Sequence, residues 1–396
     1  MSARSGALAG LRVVDLTTFL SGPFCTQLLA DLGADVIKVE TLAGDSSRAI
    51  PPHFAGDDSA YYLSVNRNKR SIAVDMKSPE GLSLVRRLIG TADVVVENFR
   101  PGVCARLGIA AGDMRAAFPG LVWASITGFG ADGPWRDRAA YDMIVQAASG
   151  VMSLTGEPDG APVRLGIPAG DLVAGLYAAI GILAALRDRS VSGQGRTLEV
   201  AMFDAQLAML SYQAAYALIA GVTPPPQGSR HDSIPTYRTF VAGDGRTVAV
   251  TANTEGMWRA SCEVLGVPEM VSDPRFADGA ARLAHKAELW AAWEAAFKTQ
   301  PAGAWVRLLT ARGVPASTIK TVPEALADAE AAGREMIVDL SPSVRVAGSP
   351  LRLDGPPGGE HAYPPALGAD TDAVLRGDLG LSEAEIAGLR AAKAVA

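Results

Sequence analysis

The chain has 396 residues and a formal net charge of −6, with 48% hydrophobic and 20% charged residues. This length is more than one small module needs and is typical of two domains. The composition is that of a folded globular protein and excludes extensive disorder. The acidic balance argues against a nucleic-acid partner, because phosphate backbones bind basic surfaces.

Cysteines and histidines are few and dispersed. Three cysteines form no CxxC pair, and four histidines are scattered along the chain, so we expect neither a disulfide framework nor a metal centre. Residues 1–6 lack the apolar core of a secretory signal. The longest apolar run, Leu172–Leu186, is shorter than a membrane span. We therefore expect a cytoplasmic protein without a membrane partner, in which this run forms a buried helix.

Strand-like and helix-like patterns alternate over about the first two hundred residues. The predicted strands are Arg12–Leu16, Asp35–Glu40, Ser71–Met76, Asp93–Phe99, Leu121–Gly128 and Thr197–Met202. The predicted helices between them include Phe24–Leu32, Pro79–Ile89 and Val103–Ala117. This alternation predicts a parallel α/β sheet. In such sheets ligands bind beyond the carboxyl ends of the strands.

A smaller unit is predicted after a proline-rich linker. Helical patterns from Tyr141 to Ala220 end before Pro224–Pro226, since three prolines cannot continue a helix. A hairpin is predicted over Thr239–Ala252, with Gly243–Gly245 as its turn. Helices follow at Glu255–Leu265, Ala281–Lys298 and Ala302–Ala311, and a capping box at Ser382–Glu385 opens a last helix. The predicted divisions are residues 1–222, 223–321 and 322–396.

Three segments carry residues suited to chemistry, although P-loop, GxGxxG and GxSxG motifs are absent. Leu20–Cys25 follows the first strand and opens a helix, whose N-terminus can bind an anion. The alternative is an ordinary strand–helix turn.

The second feature is a set of basic and amide side chains that lie within or near the predicted strands. They are Lys38, Asn66, Lys69, Arg70, Asn98, Arg100 and Arg106. In an acidic protein this concentration indicates a phosphate-rich ligand. A solvated basic face is the alternative.

Asp171 forms the third segment. It follows Gly170 at the start of the long apolar helix, where an aspartate is well placed as an N-cap. It could instead be a carboxylate nucleophile. In that reading Gly170 and Gly175 leave room for a bulky acyl group.

Together these segments resemble the class III coenzyme A transferases, the family that includes formyl-CoA:oxalate and carnitine CoA-transferases and the α-methylacyl-CoA racemases. The resemblance spans almost the whole chain. The matching stretches include Val13–Leu16 with Gly22-Pro23, Gly33–Glu40, Asn66–Ser71, Asn98–Gly102, Tyr141-Asp142, Gly170-Asp171, Asp244-Gly245 and Pro365–Gly368.

The resemblance implies a fold and an assembly. The large domain would be Rossmann-like with a parallel sheet, built from the N-terminal part and the C-terminal tail. A smaller α+β domain would be inserted between them. Two chains would form an interlocked homodimer.

The resemblance also implies a mechanism. Asp171 would attack an acyl-CoA, giving a mixed anhydride and then an aspartyl-CoA thioester. The CoA thioester would be a substrate, with no tightly bound cofactor and no metal. Its phosphates and adenine would contact Lys38, Asn66, Lys69, Arg70, Asn98, Arg100 and Arg106.

The substrate is less well defined by the resemblance. Residues 166–177 look like those of members that use succinyl-CoA or branched C5 dicarboxylates, so a dicarboxylate is expected. Tyr141, Arg138 and His231 are candidate contacts for the carboxylic acid. Three alternatives stay open: CoA transfer within one molecule, racemisation of an α-methylacyl-CoA, and a protein that binds an acyl-CoA without turning it over. The racemases carry a histidine where this chain has Tyr141, and a phenol is a poor base at neutral pH.

Overall fold

The computed structural model describes residues 6–353 and 361–396. Residues 1–5, on which the signal-peptide argument largely rests, lie outside this range. Contacts divide the chain into two compact units. The larger unit covers the described parts of Met1–Met152, Arg164–Val222 and Ala329–Ala396, and the second covers Ser153–Val163 and Thr223–Asp328. The predicted division differs by placing the second boundary after residue 321 and by leaving residues 153–163 in the large domain.

A six-stranded sheet forms the centre of the larger unit, and every strand pair in it is parallel, as predicted. The spatial order is Lys69–Ala73, Asp35–Glu40, Arg12–Asp15, Val94–Glu97, Val122–Thr127 and Thr197–Ala201. Numbered along the chain this order is 3-2-1-4-5-6. The first and fourth strands are therefore neighbours at the point where the strand order reverses, which is where such sheets bind ligands.

Both faces of this sheet are covered, because its strands are rich in valine and isoleucine on both sides. One face packs against helices Ser21–Asp31 and Ala169–Ser192. The other packs against helix Pro79–Ile89 and the end of the chain, where Val374 and Leu375 are fully buried. The C-terminal segment thus contributes helices Thr371–Gly377 and Glu383–Ala391 to the larger unit, and the predicted capping box of Ser382 and Glu385 is confirmed.

The second unit has its own sheet and core. Its three antiparallel strands lie in the order Ala316–Thr318, Thr247–Val250 and Arg238–Val241, which confirms the predicted hairpin. Four α-helices lie between the hairpin and the third strand, at Glu255–Leu265, Gly279–Ala284, Lys286–Phe297 and Ala302–Ala311. Their core is aromatic, with the buried indoles of Trp258 and Trp293 stacked at 5.7 Å between centroids.

Two predicted helices are divided in the structure. Val103–Ala117 becomes Val103–Arg106 and Ala111–Ala117, because Gly108 between them has φ +68, a conformation that ends a helix. Ala281–Lys298 is interrupted at His285. The antiparallel pair Ile337–Ser341 and Val344–Ala347 was not among the predicted elements.

The long helix Ala169–Ser192 is buried on one face only. The prediction of a buried helix therefore holds for that face and not for the other. Ala174, Ala178 and Ile182 are fully buried, whereas Ile180 has 61% of its surface exposed. Among the described residues this is the one helix whose length and composition would allow a membrane span. A core helix of a soluble protein passes the same test.

Candidate active site

A cavity of about 550 Å³ opens beyond the carboxyl ends of the central strands. The turn after strand Arg12–Asp15 supplies Thr18, Phe19 and Ser21. The segment after strand Val94–Glu97 supplies residues 98–101, from Asn98 to Pro101. The remaining lining residues used below are Tyr61, Arg136, Arg138, Tyr141, Asp142, Arg164 and Asp171. The cavity therefore lies where the strand order predicts a ligand site.

Asp171 lies in the first turn of helix Ala169–Ser192, and its side chain lines the cavity. The predicted alternative, an N-cap role, does not hold, because Pro168 occupies the N-cap position. Asp142 caps this helix from outside: the Gly170 backbone N–H donates to Asp142 Oδ1 at 2.7 Å. The other oxygen, Oδ2, accepts a hydrogen bond from Gln146 Nε2 at 2.7 Å.

The pKa of Asp171 is raised to about 7. Burial is the larger cause, and the negative charge of Asp142 adds to it. A hydrogen bond from the Ser21 hydroxyl opposes both by stabilising the carboxylate. A carboxylate that is largely desolvated and has one hydroxyl donor is less stabilised than one in water. Such a group is more reactive as a nucleophile or base.

Aromatic side chains line the cavity near Asp171. The ring of Phe19 makes edge-on contacts with Tyr61 and Tyr141, with centroids 6.2 Å apart in both pairs. Burial and the charges of Asp171, Asp45 and Asp142 raise the pKa of Tyr61 to about 12. Tyr61 is therefore a neutral phenol at physiological pH, able to donate a hydrogen bond near the Asp171 carboxylate.

Four arginines line the cavity: Arg100, Arg136, Arg138 and Arg164. Arg138 stacks over the rings of Phe129 and Trp135, at 4.4 and 5.0 Å from their centroids. Arg106 lies next to one of these four, Arg136. A Cβ built on Gly102 would lie 3.1 Å from Arg136 Nη2 and 3.3 Å from Arg106 Nη1, so the two guanidinium groups are neighbours. We call Arg100, Arg106, Arg136, Arg138 and Arg164 the arginine wall.

Four of the predicted CoA contacts lie elsewhere. Lys38 and Lys69 have side chains with no exposed surface and pair with Asp45 and Asp15. Asn66 is buried, and its side chain bonds the Tyr62 carbonyl oxygen and Lys69. These three side chains have no surface to offer to a phosphate. The structure therefore argues against their predicted contacts with CoA.

Arg70 is the fourth of these residues. It is the second residue of strand Lys69–Ala73, near the amino end of the sheet, and does not line the cavity. Its guanidinium binds both oxygens of Asp35 and one oxygen of Asp378. Its predicted contact with CoA is likewise not supported, because the cavity lies at the carboxyl end.

Asn98 does line the cavity, as predicted, but its side chain is already bonded to the chain. Its Oδ1 accepts from the Thr18 backbone N–H and its Nδ2 donates to the Thr18 carbonyl oxygen, both at 2.9 Å. Asn98 thus joins the segments that follow the first and fourth strands. These two hydrogen bonds hold the two segments together at the ligand-binding edge of the sheet.

Gly170 and Gly175 are packed against protein and do not leave room for an acyl group. A Cβ on Gly170 would lie 2.1 Å from Gln206 Nε2. A Cβ on Gly175 would lie 2.6 Å from the carbonyl oxygen of Ser21. The two glycines instead allow helix Ala169–Ser192 to approach its neighbours closely, which brings Ser21 to Asp171.

His231 belongs to the second unit, where it lies 3.0 Å from Asp232 and contacts the ring of Tyr237. Its predicted contact with the carboxylic acid stays a prediction. Sequence reasoning missed the roles of Ser21, Tyr61 and Arg164 in the cavity. Only Ser21 carried a signal, since it opens the helix after the first strand. Within the described residues no cluster of three or more His, Cys, Asp or Glu side chains could hold a metal.

Residues 8–371 match the model of the CoA-transferase family III. The chain belongs to this family. This CoA-transferase is 40% identical over 386 residues to a succinate–glutarate CoA-transferase of Agrobacterium fabrum, covering 91% of this chain and 95% of the relative. It is 35% identical over 397 residues to a succinyl-CoA–D-citramalate CoA-transferase of Chloroflexus aurantiacus, covering 98% of each chain.

The fold of this CoA-transferase is also similar to a solved structure. A CAIB/BAIF family protein from Brucella suis superposes with a TM-score of 0.85 at 37% identity, covering 95% of this chain and all of that one. The expected family and enzyme class are therefore confirmed. The mixed α/β fold with its parallel sheet is confirmed as well.

Proposed function

We propose that this CoA-transferase moves CoA from a dicarboxylyl-CoA, such as succinyl-CoA, to a carboxylic acid, with Asp171 as the nucleophile. The observation that carries the proposal is the position of Asp171. Its desolvated carboxylate lines the cavity beyond the central strands, beside an open wall of arginines. Relatives named for succinate, glutarate and D-citramalate support a dicarboxylate.

The proposed reaction proceeds through covalent steps at Asp171. The carboxylate attacks the thioester carbonyl of the donor, the C–S bond breaks, and a mixed anhydride and CoA thiolate form. The thiolate then attacks the Asp171 carbonyl carbon and releases the donor acid, leaving an aspartyl-CoA thioester. The acceptor carboxylate displaces the thiolate to give a second anhydride. The thiolate attacks the acceptor carbonyl, which forms the new CoA ester and restores Asp171.

The cavity offers different groups to the two ends of such a substrate. Arg106 and Arg136 lie together beside Gly102, as two guanidinium groups that suit the phosphates of CoA. Arg138 and Arg164 line the same cavity as Asp171, and they suit the second carboxylate of a dicarboxylate. Tyr141 is 68% exposed at the same edge and can donate a hydrogen bond to the acid.

Racemisation of an α-methylacyl-CoA is the second candidate, and one observation favours it. A carboxyl group with a pKa near 7 suits proton transfer as well as nucleophilic attack. Removal of an α-proton and its return to the opposite face require two bases. Asp142 accepts two hydrogen bonds from protein groups, and Tyr141 is a phenol, so neither is a good second base. Transfer within one molecule would use the same groups as transfer between two.

One incubation in deuterated water separates these functions. The mixture contains succinyl-CoA, a chiral 2-methylacyl-CoA and a panel of dicarboxylic acids, and mass spectrometry reads every CoA ester formed. New esters without α-deuterium are expected. Deuterium at the α-carbon of the methylacyl-CoA without new esters would contradict the proposal. Asp171→Asn is the control, and it should abolish exchange while binding CoA within about tenfold of wild type.

The homodimer, the inserted small domain and the cytoplasmic location are part of the same proposal. Apolar side chains are exposed on two helices of the larger unit, at Ile180 (61%), Leu218 (86%) and Ile219 (86%). A second copy of this chain would cover them, because large exposed apolar patches mark interaction sites. The three cysteines are unpaired, which suits a reducing compartment. Sedimentation would test the dimer.

A further inference from the structure

Within the part of the chain that the structure describes, the turn after the first strand, Thr17–Phe19, makes no backbone–backbone hydrogen bonds. The last sheet bond on this strand is from the Leu16 N–H to the Val96 carbonyl oxygen, and the next helix begins at Ser21. Side chains bond the backbone of Thr17, Thr18 and Phe19, whereas the Leu20 carbonyl oxygen accepts from the Phe24 N–H of the next helix. The turn is therefore held by side chains, and three of them, those of Lys38, Asp45 and Asn98, are distant in sequence.

Four side chains supply the five hydrogen bonds to the backbone of the turn. Asp15 Oδ1 accepts from the Thr17 N–H at 2.9 Å, and Lys38 Nζ donates to the Thr17 carbonyl oxygen at 2.8 Å. Asn98 bonds both backbone groups of Thr18. Asp45 Oδ1 accepts from the Phe19 N–H at 3.3 Å. Lys38 and Asp45 thus hold the two ends of the turn.

Lys38 and Asp45 also form an ion pair with each other. Lys38 Nζ lies 2.9 Å from Asp45 Oδ2, and neither side chain has exposed surface. An ion pair in this position is costly to desolvate and must be held by further polar contacts. The hydrogen bonds to these two side chains are with the turn and with the Ser47 N–H, and the charges of Asp15 and Glu40 also favour the charged form of Lys38. A chain that needed only a packed core could place two apolar residues here.

Phe19 shows what the turn requires. Its φ is +67, a conformation that bulky residues rarely adopt and that tends to persist at functional sites where the surroundings enforce it. In this conformation the Phe19 ring meets Tyr61 and Tyr141 at the cavity. Two residues later, Ser21 lines the same cavity as Asp171, and its hydroxyl opposes the rise in the pKa of that carboxyl group. The conformation of the turn therefore sets the position of two groups beside the proposed nucleophile.

We propose that the buried Lys38–Asp45 ion pair is a positioning device for the transfer reaction, which holds the Thr17–Phe19 turn so that Phe19 and Ser21 face Asp171. The inference rests on the proposed function of Asp171. It gives Lys38 a different task from binding the CoA phosphates. Lys38 acts through the turn and does not touch the substrate.

Three variants test this inference. Lys38→Met removes the ammonium group, and Asp45→Asn removes the charge but keeps an acceptor for the Phe19 N–H. The double variant combines both substitutions and leaves neither partner of the ion pair as an unpaired buried charge. It should therefore fold even if one of the single variants does not. Arg282→Met is the matched control, because Arg282 is also a buried cation that bonds a backbone carbonyl oxygen, that of Phe276, and pairs with Glu255. It lies in the second unit.

The measurements are kcat and KM for succinyl-CoA, and Kd for CoA and for dephospho-CoA, on protein shown to be folded. We expect Lys38→Met and the double variant to lower kcat about 10- to 100-fold. The Kd for CoA should stay within about threefold, with the preference for CoA over dephospho-CoA unchanged. Asp45→Asn should lower kcat less, and Arg282→Met should retain wild-type kcat.

The pH profile adds a readout that general destabilisation would not move. If the turn shifts, Ser21 loses its bond to Asp171, and the midpoint of the kcat–pH profile should move to higher pH in the folded variants. Arg282→Met should leave the midpoint in place.

Three outcomes would overturn the inference. One is a wild-type kcat in the folded double variant. Another is a tenfold or larger weakening of CoA binding, since this would make Lys38 a phosphate ligand: of the 3′-phosphate if dephospho-CoA does not show the loss, and of the diphosphate if it does. The third is a wild-type enzyme that forms no CoA ester from any acid, which would overturn the proposed function as well. A transferring wild type with a fully active variant overturns this inference alone.

Discussion

Two groups of basic side chains differ in location and in task, although the sequence presents them alike. Lys38, Lys69 and Arg70 lie within strands or at their amino ends, and each is bonded to a carboxylate. The arginine wall lies beyond the carboxyl ends of the strands, and its side chains line or border the cavity. The first group stabilises the sheet and its turns, and the second is available to an anionic ligand.

In this fold, the position of a charged residue relative to the strand ends determines whether its side chain pairs with a carboxylate in the core or is available to a ligand. A basic side chain inside a strand of a doubly covered sheet enters the core, where it must find a carboxylate. The same side chain a few residues further along enters the ligand-binding crevice. Charge counts along the sequence do not separate the two cases.

The largest expected effect concerns the buried group. Asp15 accepts hydrogen bonds from Thr17 and Thr26 and pairs with Lys69 at 3.0 Å. Asp15→Asn leaves a buried ammonium group without its partner, so the free energy of unfolding should fall by about 3–5 kcal/mol. Arg136→Met in the exposed wall should change it by less than about 0.5 kcal/mol. Equal losses in urea unfolding would remove the distinction between the two groups.

The second prediction compares ligand affinity. Arg106→Ala should weaken CoA binding by about 1–3 kcal/mol, the range of a charge-assisted hydrogen bond, and the loss should shrink at high salt. Arg70→Ala should leave the Kd for CoA within about twofold, because its partners Asp35 and Asp378 belong to the protein. Titration calorimetry on both variants decides the matter. A larger effect from Arg70 than from Arg106 would reverse the assignment.

The third prediction concerns pH and Asp171, the carboxylate that lines the same cavity as the arginine wall. Only the ionised form of Asp171 can attack, and its pKa is raised to about 7 by burial and by Asp142. kcat should therefore rise with pH up to about 7 and level off above it. A profile that is flat from pH 5 to 8 would contradict the raised pKa or the role of the ionised form.

The fourth prediction is the matching effect on stability. A carboxyl group whose pKa is higher in the folded state stabilises the fold below its unfolded pKa, and this contribution is lost as pH rises towards 7. Asp171→Asn removes the buried charge, so it should raise the free energy of unfolding by about 1–3 kcal/mol at pH 8. It should have little effect at pH 4. If Asp171→Asn were as stable as the wild type at both pH 8 and pH 4, the charge of Asp171 would be well solvated in the folded protein.

The arrangement of the sheet could be predicted from the sequence because each strand is a short apolar run between helical patterns. Val94–Glu97 is such a run, and Asn98 and Arg100 follow it directly, so their position at the ligand-binding edge could be inferred. Asp171 could be placed at a helix start from its neighbours, but its role came from the resemblance to a family.

Long-range contacts decide what could not be predicted. Burial of Lys38 depends on Asp45 and on the Thr17 carbonyl oxygen, 21 residues away in sequence. The left-handed conformation of Phe19 has no sequence signal, since turns favour glycine or asparagine there. Gly170 and Gly175 were expected to make room for a ligand. They instead make room for neighbouring side chains and backbone, which only the packed helices reveal.

The measurement that tests the central claim most directly follows an oxygen atom into Asp171. The enzyme turns over with unlabelled succinyl-CoA and an acceptor acid labelled with ¹⁸O in its carboxyl groups. The protein is then digested, and the mass of the peptide containing Asp171 is measured by mass spectrometry. Attack by the acceptor on an aspartyl-CoA thioester leaves one acceptor oxygen on the Asp171 carboxylate when the new CoA ester departs. The proposal predicts ¹⁸O in that peptide and in no other. Formation of the new CoA ester without label in the peptide would contradict a covalent role for Asp171.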